Sequence, residues 1–136
     1  HHASAVYMFF DFSGQQISLG NAGHPYPIYS ENENEFKEIE TEGSILGYKI
    51  RSPISKAISF PLVKGSRFFL YTDGLVETSN NEGNFLDINN LLKILNKHRK
   101  ILDITLFQSE IMTEINSFFK GVDFSDDTMY LILELT

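Results

Sequence analysis

Any polar chemistry in this chain rests on carboxylates and histidines. The sequence contains no cysteine, which excludes disulfides, thiolate metal sites and cysteine nucleophiles. Two carboxylate positions stand out. Asp73 falls where the apolar run Phe68-Phe69-Leu70-Tyr71 reaches Gly74, so its side chain should project from a strand end. Asp126 and Asp127 precede the apolar run Met129 to Leu135, again at an apolar boundary. They are far from Asp73 in sequence, so only folding can join them. Carboxylates converging at strand ends make an all-oxygen site suited to Mg²⁺ or Mn²⁺, in which the Asp73 and Asp126 carboxylates should lie within about 8 Å. A plainer reading stands beside this one: Asp-Gly is among the commonest turn dipeptides, and Asp ahead of a strand is often only solvated. His24, in Ala22-Gly23-His24-Pro25, is a candidate ligand or base, or else a turn histidine satisfied locally. His98, among lysines at a helix end, reads as surface. Ser4, Ser66 and Thr72 show no Ser-His-Asp arrangement that sequence supports.

The elements that must position these residues are strands first and helices later. Ala5 to Phe12 is β-branched and aromatic and runs into Ser13-Gly14, while Gln16 to Asn21 alternates polar and apolar with period two. Together they predict a hairpin. Pro25 and Pro27 restrict any ladder around Tyr26 to an edge or a strand start. Ser30 to Glu35 is a polar loop and Phe36 to Ile39 a short return strand; the six glutamates between Glu31 and Glu42 read as a solvated face. Past Gly43, Leu46-Gly47 and Pro53, further strands are expected at Ala57 to Leu62 and Arg67 to Thr72. The period then changes. Asp87 is a plausible N-cap for a helix bearing Ile88, Leu91, Leu92 and Leu95. Asp103 caps a second, in which Ile104, Phe107, Ile111, Ile115 and Phe118 share one face, with Gly121 after its end. Met129 to Leu135 closes the pattern as a strand. Strands, two helices and a strand imply an α+β domain with helices packed on antiparallel sheet.

Composition narrows the function. At 136 residues, 42% hydrophobic and 21% charged, the chain has the size of one domain and enough apolar content for a core. Eighteen acidic residues against eleven basic ones give a net charge of −7, which argues against nucleic acid as a partner. Lys93, Lys97, Arg99 and Lys100 cluster, but at an exposed helix end. No apolar run approaches the roughly 20 residues of a membrane span and no signal peptide is visible, so a cytoplasmic setting without membrane contact is expected.

Four segments in order carry a family resemblance: Asn21-Ala22-Gly23-His24-Pro25; Leu46-Gly47; the block from Lys64-Gly65-Ser66-Arg67 through Tyr71-Thr72-Asp73-Gly74 to Glu77; and Asp126-Asp127. The chain resembles the C-terminal part of SpoIIE-like phosphatase domains, the bacterial branch of the PPM (protein phosphatase type 2C) superfamily. The resemblance implies a β-sandwich of antiparallel sheets flanked by helices. It also implies a Mg²⁺- or Mn²⁺-dependent protein serine/threonine phosphatase, in which two metals hold a bridging water that attacks phosphorus in line. The substrate would be a phosphorylated regulatory protein of the anti-sigma-factor-antagonist type. By motif, Asp73 and Asp126 would ligate metal; Asp127 and Glu77, with Gly74 beside them, would stand one layer out; and Gly23 and His24 would shape a turn near the site without a catalytic role.

The chain departs from the family pattern at Ser66, where Asp is usual, at Leu86, where Gly commonly stands, and at Met129, in place of a Thr. It also contains no counterpart of the Gly-Asp and Asp-x-x-Gly-His-Gly motifs that supply the family's other ligands. Residues 1–136 are therefore expected to be the C-terminal portion of one phosphatase domain, inactive alone. Uncovered sheet edges, and Phe9, Phe68, Phe107 and Phe118 as candidates for surfaces covered by the absent half, lead to the expectation of a homodimer, a swapped arrangement or marginal solubility rather than a well-behaved monomer. His1 and His2 read as either native or a tag remnant. The rival reading is a catalytically dead module of the same fold that binds a partner protein; carboxylates at both Asp73 and Asp126 favour the enzyme.

Overall fold

The computed structural model describes residues 3–47, 56–124 and 127–136. Seven strands are ordered along these residues: β1 (Ala5–Asp11), β2 (Gln16–Ala22), β3 (Ile28–Ser30), β4 (Lys37–Glu38), β5 (Ile58–Pro61), β6 (Arg67–Tyr71) and β7 (Tyr130–Glu134). Three helices, α1 (Gly74–Glu77), α2 (Ile88–His98) and α3 (Ile104–Phe119), lie between β6 and β7. The strands form two antiparallel sheets, one in the order β1-β2-β5 and the other β4-β3-β6-β7. The α+β expectation holds, as does the β1–β2 hairpin. Pro27 ends immediately before β3, as its missing N–H requires.

Burial follows from where each sheet face looks. Ile17 of β2 and Phe68 of β6 pack with Tyr29, Phe10, Phe60 and Leu133, which places one core between the sheets. Phe68 lies 4.8 Å from Tyr29 and meets Phe10 edge-on at 6.1 Å, ring geometries that aromatic quadrupoles favour. On the other face of the four-stranded sheet, Ile28, Phe69 and Tyr71 pack against Leu91, Leu95, Phe107 and Ile111 of the helices. β6 is thus buried on both sides, and its unbroken apolar run reflects that. β2 alternates because its outer face has no helix on it. Phe68 and Phe107 are fully buried in these two cores, so neither belongs to an uncovered surface; Phe9, 53% exposed on the outer face of β1, remains one.

The helices begin where sequence places them. Asp87 and Asp103 each accept a backbone N–H three residues on, from Asn90 and Leu106, at 2.8 and 2.7 Å. The left-handed residue that ends α3 is Lys120 (φ 48°), with Gly121 also at positive φ one step later. His98 corrects its reading as a surface residue. Its side chain is only 12% exposed, and Nε2 lies 2.6 Å from the Glu114 carboxylate of α3, which also takes the Lys97 ammonium at 2.6 Å. No helix among the described residues is long and apolar enough to cross a membrane.

Arg67 fastens the layers together. Buried at the start of β6, it donates through Nε to Glu134 on β7, its partner in the ladder. Nη1 and Nη2 donate to the carbonyls of Ile101 and Leu102 between α2 and α3, both at 2.7 Å. The guanidinium also lies over the Phe107 ring, 4.7 Å from its centre.

Two predictions follow from these charges. Arg67→Ala should destabilise the fold by about 3–5 kcal/mol, because it strands a half-buried carboxylate and two carbonyls; Arg67→Met, which keeps the apolar stem, should cost less in a urea titration. The hydrogen bond from Lys97 first, and that from His98 second, hold the Glu114 carboxyl below its ordinary value of 4.5. A depressed carboxyl contributes stability above its unfolded value and loses it as pH falls through the folded one. Glu114→Gln should therefore melt below wild type at neutral pH, with the gap closing as pH falls below the ordinary carboxyl value of 4.5.

Candidate functional site

Antiparallel pairing of β6 with β7 brings the two acidic segments to one end of the sandwich. The ladder pairs Tyr71 with Tyr130, so the residues that follow β6 meet those that precede β7. The contact is made by Thr72. Its N–H donates to the Met129 carbonyl at 2.9 Å, and its hydroxyl accepts from the Met129 N–H at 2.9 Å and donates to the Asp127 carbonyl at 3.0 Å. Only backbone atoms of residue 129 take part, so Met is accommodated there with its side chain in solvent.

Asp73 comes next. It caps the single turn of α1, and its Oδ1 accepts the Gly74 N–H at 3.1 Å while the residue stays exposed. Leu75 anchors the turn in the helical core, the Thr78 hydroxyl closes it on the Gly74 carbonyl at 2.8 Å, and Glu77 is exposed on its last residue. Asp127 is exposed as well. Asp126 lies outside the described residues, and with it the expected approach of its carboxylate to Asp73. Among the described residues no three His, Asp or Glu side chains group closely enough to hold a metal ion. Tyr71, just behind Asp73, offers no proton acceptor, since burial first and the Glu38 carboxylate second push its phenol up to about 12.

The Asn21–Pro25 turn reaches the same end. Asn21 is 4% exposed and grips His24 twice: Oδ1 accepts the His24 N–H and Nδ2 donates to the His24 carbonyl, both at 2.8 Å. Gly23 takes φ 67°, and Gly43 lies so close to Asn21 that a Cβ would fall 1.6 Å from the Asn21 carbonyl oxygen. The His24 imidazole Nδ1 is 3.1 Å from the Ser4 hydroxyl. A groove of about 270 Å³ runs from Ser4, Val6 and His24 to Thr72, Met129 and Leu131, so the histidine turn and the acidic strand end border one depression.

The Thr72 hydroxyl and backbone thus hold the segment of Asp127 beside the strand end from which Asp73 leaves, and His24, next to Gly23 in its turn, lines the same groove as Thr72. Sequence reading gives Thr72 no role, and it places Asn21 in the near-site turn without naming the bonds that make it. Asn21 sits on the buried face of an alternating strand, a position where an amide needs partners, and that signal is available in retrospect. Ser66, at the first departure from the family pattern, is fully buried with its hydroxyl 3.1 Å from the Tyr29 phenol; Leu86, at the second, fills the helical core.

A two-sheet antiparallel sandwich covered by helices, with acidic segments meeting at a strand end, defines a PP2C-type phosphatase fold. The structure superposes on the SiaA-PP2C domain of Pseudomonas aeruginosa with a TM-score of 0.81 at 17% identity, covering 98% of this chain and 51% of that one. On the Mn-presoaked phosphatase domain of the cell fate determinant SpoIIE from Bacillus subtilis the TM-score is 0.67 at 13% identity, covering 97% and 56%. In sequence, the chain is 28% identical over 130 residues to the phosphoserine phosphatase RsbU of Bacillus subtilis (strain 168), which covers 93% of this chain but 37% of that protein. The family model for stage II sporulation protein E (SpoIIE) matches residues 1–136, and the chain belongs to that family.

Asn21→Ala removes two hydrogen bonds from the turn and should cost about 2 kcal/mol in urea denaturation. Asn21→Asp keeps the acceptor for the His24 N–H but sets a buried carboxylate oxygen against the His24 carbonyl, and at neutral pH it should cost at least as much.

Proposed function

We propose that residues 1–136 are the C-terminal portion of one PPM-type phosphatase domain. It hydrolyses phosphoserine or phosphothreonine on a regulatory protein of the anti-sigma-factor-antagonist type, with a Mg²⁺ or Mn²⁺ pair. The observation that carries this reading is the meeting of the Asp73 and Asp127 segments at one strand end, in a chain matched over its whole length by the family model. RsbU, similar in sequence, is a phosphoserine phosphatase, and the SpoIIE domain of like fold was soaked with manganese.

The donors suit such ions. Asp73 and Asp127 offer exposed carboxylate oxygens, the hard ligands that Mg²⁺ and Mn²⁺ prefer. They supply part of a ligand set. We assign Asp73 and Asp126 as direct ligands and Asp127 and Glu77 as residues acting through water, with further acidic groups contributed by the remainder of the domain. When bound, the ions neutralise charge developing on the phosphoryl group and supply a nucleophilic water at neutral pH. This chain's residues set the geometry. The Gly74 N–H orients the Asp73 carboxylate, α1 fixes the direction in which Asp73 leaves the sheet, and the depression between His24 and Met129 offers an apolar floor for the residues flanking a phosphoserine. The substrate is a phosphorylated protein, and a second copy of the chain would pair through open sheet edges.

Asp73→Asn removes ligand charge with little change in volume. In the protein that carries this chain it should lower Mn²⁺-dependent turnover of a phosphoserine peptide by on the order of 100-fold or more, with an unchanged melting temperature, and Glu77→Gln should lower it about tenfold. Turnover near wild type in Asp73→Asn would overturn the assignment.

A further inference from the structure

We propose that Thr72 is a positioning residue: its hydroxyl sets the separation of the Asp73 and Asp127 segments and so governs how tightly the site holds its cation. The inference rests on the metal reading above and concerns a residue that contributes no ligand atom to it.

The argument begins where the sheet ends. The β6–β7 ladder stops at Tyr71 and Tyr130. One step beyond, the chain after Thr72 turns away into α1, so ordinary ladder bonds cannot continue to Asp127. The Thr72 hydroxyl takes over. A hydroxyl has one proton to give and lone pairs to receive, and this one spends both on the facing segment: it receives the Met129 N–H at 2.9 Å and gives its proton to the Asp127 carbonyl at 3.0 Å. With the Thr72 N–H on the Met129 carbonyl, three bonds from one residue hold the backbone of residues 127–129.

Side-chain type matters as much as position. Threonine is branched at Cβ and confined in χ1, so its hydroxyl is aimed before the facing segment arrives. Serine retains the oxygen with more rotamers, and valine keeps the shape and strand propensity while losing both bonds. Asp73 is not the clamp: its carboxylate is exposed and accepts the N–H of its own neighbour, Gly74, rather than a group of residues 127–129. A carboxylate that supports a divalent ion through water must be placed within a few tenths of an ångström, and partners behind such groups typically tune affinity by 10–100-fold.

The test uses the protein that carries this chain, with Mn²⁺ alone as probe. Free Mn²⁺ is followed by electron paramagnetic resonance for wild type, Thr72→Val, Thr72→Ala and Thr72→Ser, and amide hydrogen exchange is read at Met129. Thr113→Val, which removes an exposed hydroxyl from α3, serves as the control. Thr72→Val and Thr72→Ala should each bind Mn²⁺ about 10–100-fold more weakly with faster exchange at Met129. Thr72→Ser should recover most of the affinity, and Thr113→Val should match wild type. If Thr72→Val does not fold, Thr72→Ala decides. Wild-type Mn²⁺ affinity in a folded variant lacking the hydroxyl overturns the positioning role while leaving the phosphatase reading intact. Absence of Mn²⁺ binding by wild type overturns the metal reading, and this inference falls with it.

Discussion

The antiparallel register of β6 on β7 constrains the rest of the molecule, because these two strands have fixed points at both ends. At one end Arg67 faces Glu134 and reaches past it to the chain between α2 and α3. At the other, Thr72 grips the residues that lead into β7. A slip of one residue would exchange the two faces of a strand. On β6 it would turn Phe68 towards the helices and Phe69 into the sandwich, mismatching two cores at once. It would also separate the Arg67–Glu134 pair, leaving charge buried and unmatched. The acidic strand end is assembled by the same register that the apolar cores enforce, so stability and site geometry are one requirement here.

The two ends of β6 divide the labour. The Arg67 end is polar but internally satisfied, with each guanidinium nitrogen engaged, and it binds the helices to the sheet. The Asp73 end keeps its carboxylate in solvent while the groups behind it are tied down. Leu75, Thr78 and the Asp127 carbonyl fix the turn from beneath, and Asn21 does the same for the neighbouring histidine loop. Hydrogen-bonded backbone under exposed acidic oxygens leaves those groups little freedom to lose on binding, which suits the cation reading proposed above.

Much of this was legible in the residues. The pleat of β2, the apolar run of β6 and the helical spacing from Ile104 to Phe118 each follow from a strong period, and Asp87 and Asp103 mark helix starts through a known local bond. α1 was not legible: a single turn has no period, and Asp73-Gly74 reads equally well as a strand-end turn. Phe68 and Phe107 were misassigned to open surfaces because sequence says that a residue is apolar but not which layer will cover it. His98 was misread because its partner, Glu114, lies on another helix. The place of Asp73 at an apolar boundary is legible as a strand end, whereas Thr72 bonds to partners supplied by distant chain, which no local pattern records.

The separation of those partners also bears on how the molecule forms. Arg67 and Glu134 stand 67 residues apart, and closing a flexible loop of that length costs about 4 kcal/mol in chain entropy. Helices α2 and α3 fall inside the loop and are local structures, which order in microseconds. Their packing shortens the excursion that β7 must make to reach β6. Non-local pairing of this kind is what slows folding in sheet proteins. The acidic strand end therefore joins segments whose pairing waits on a long loop closure, and a lesion that delays β7 also delays the meeting of Thr72 with residues 127–129.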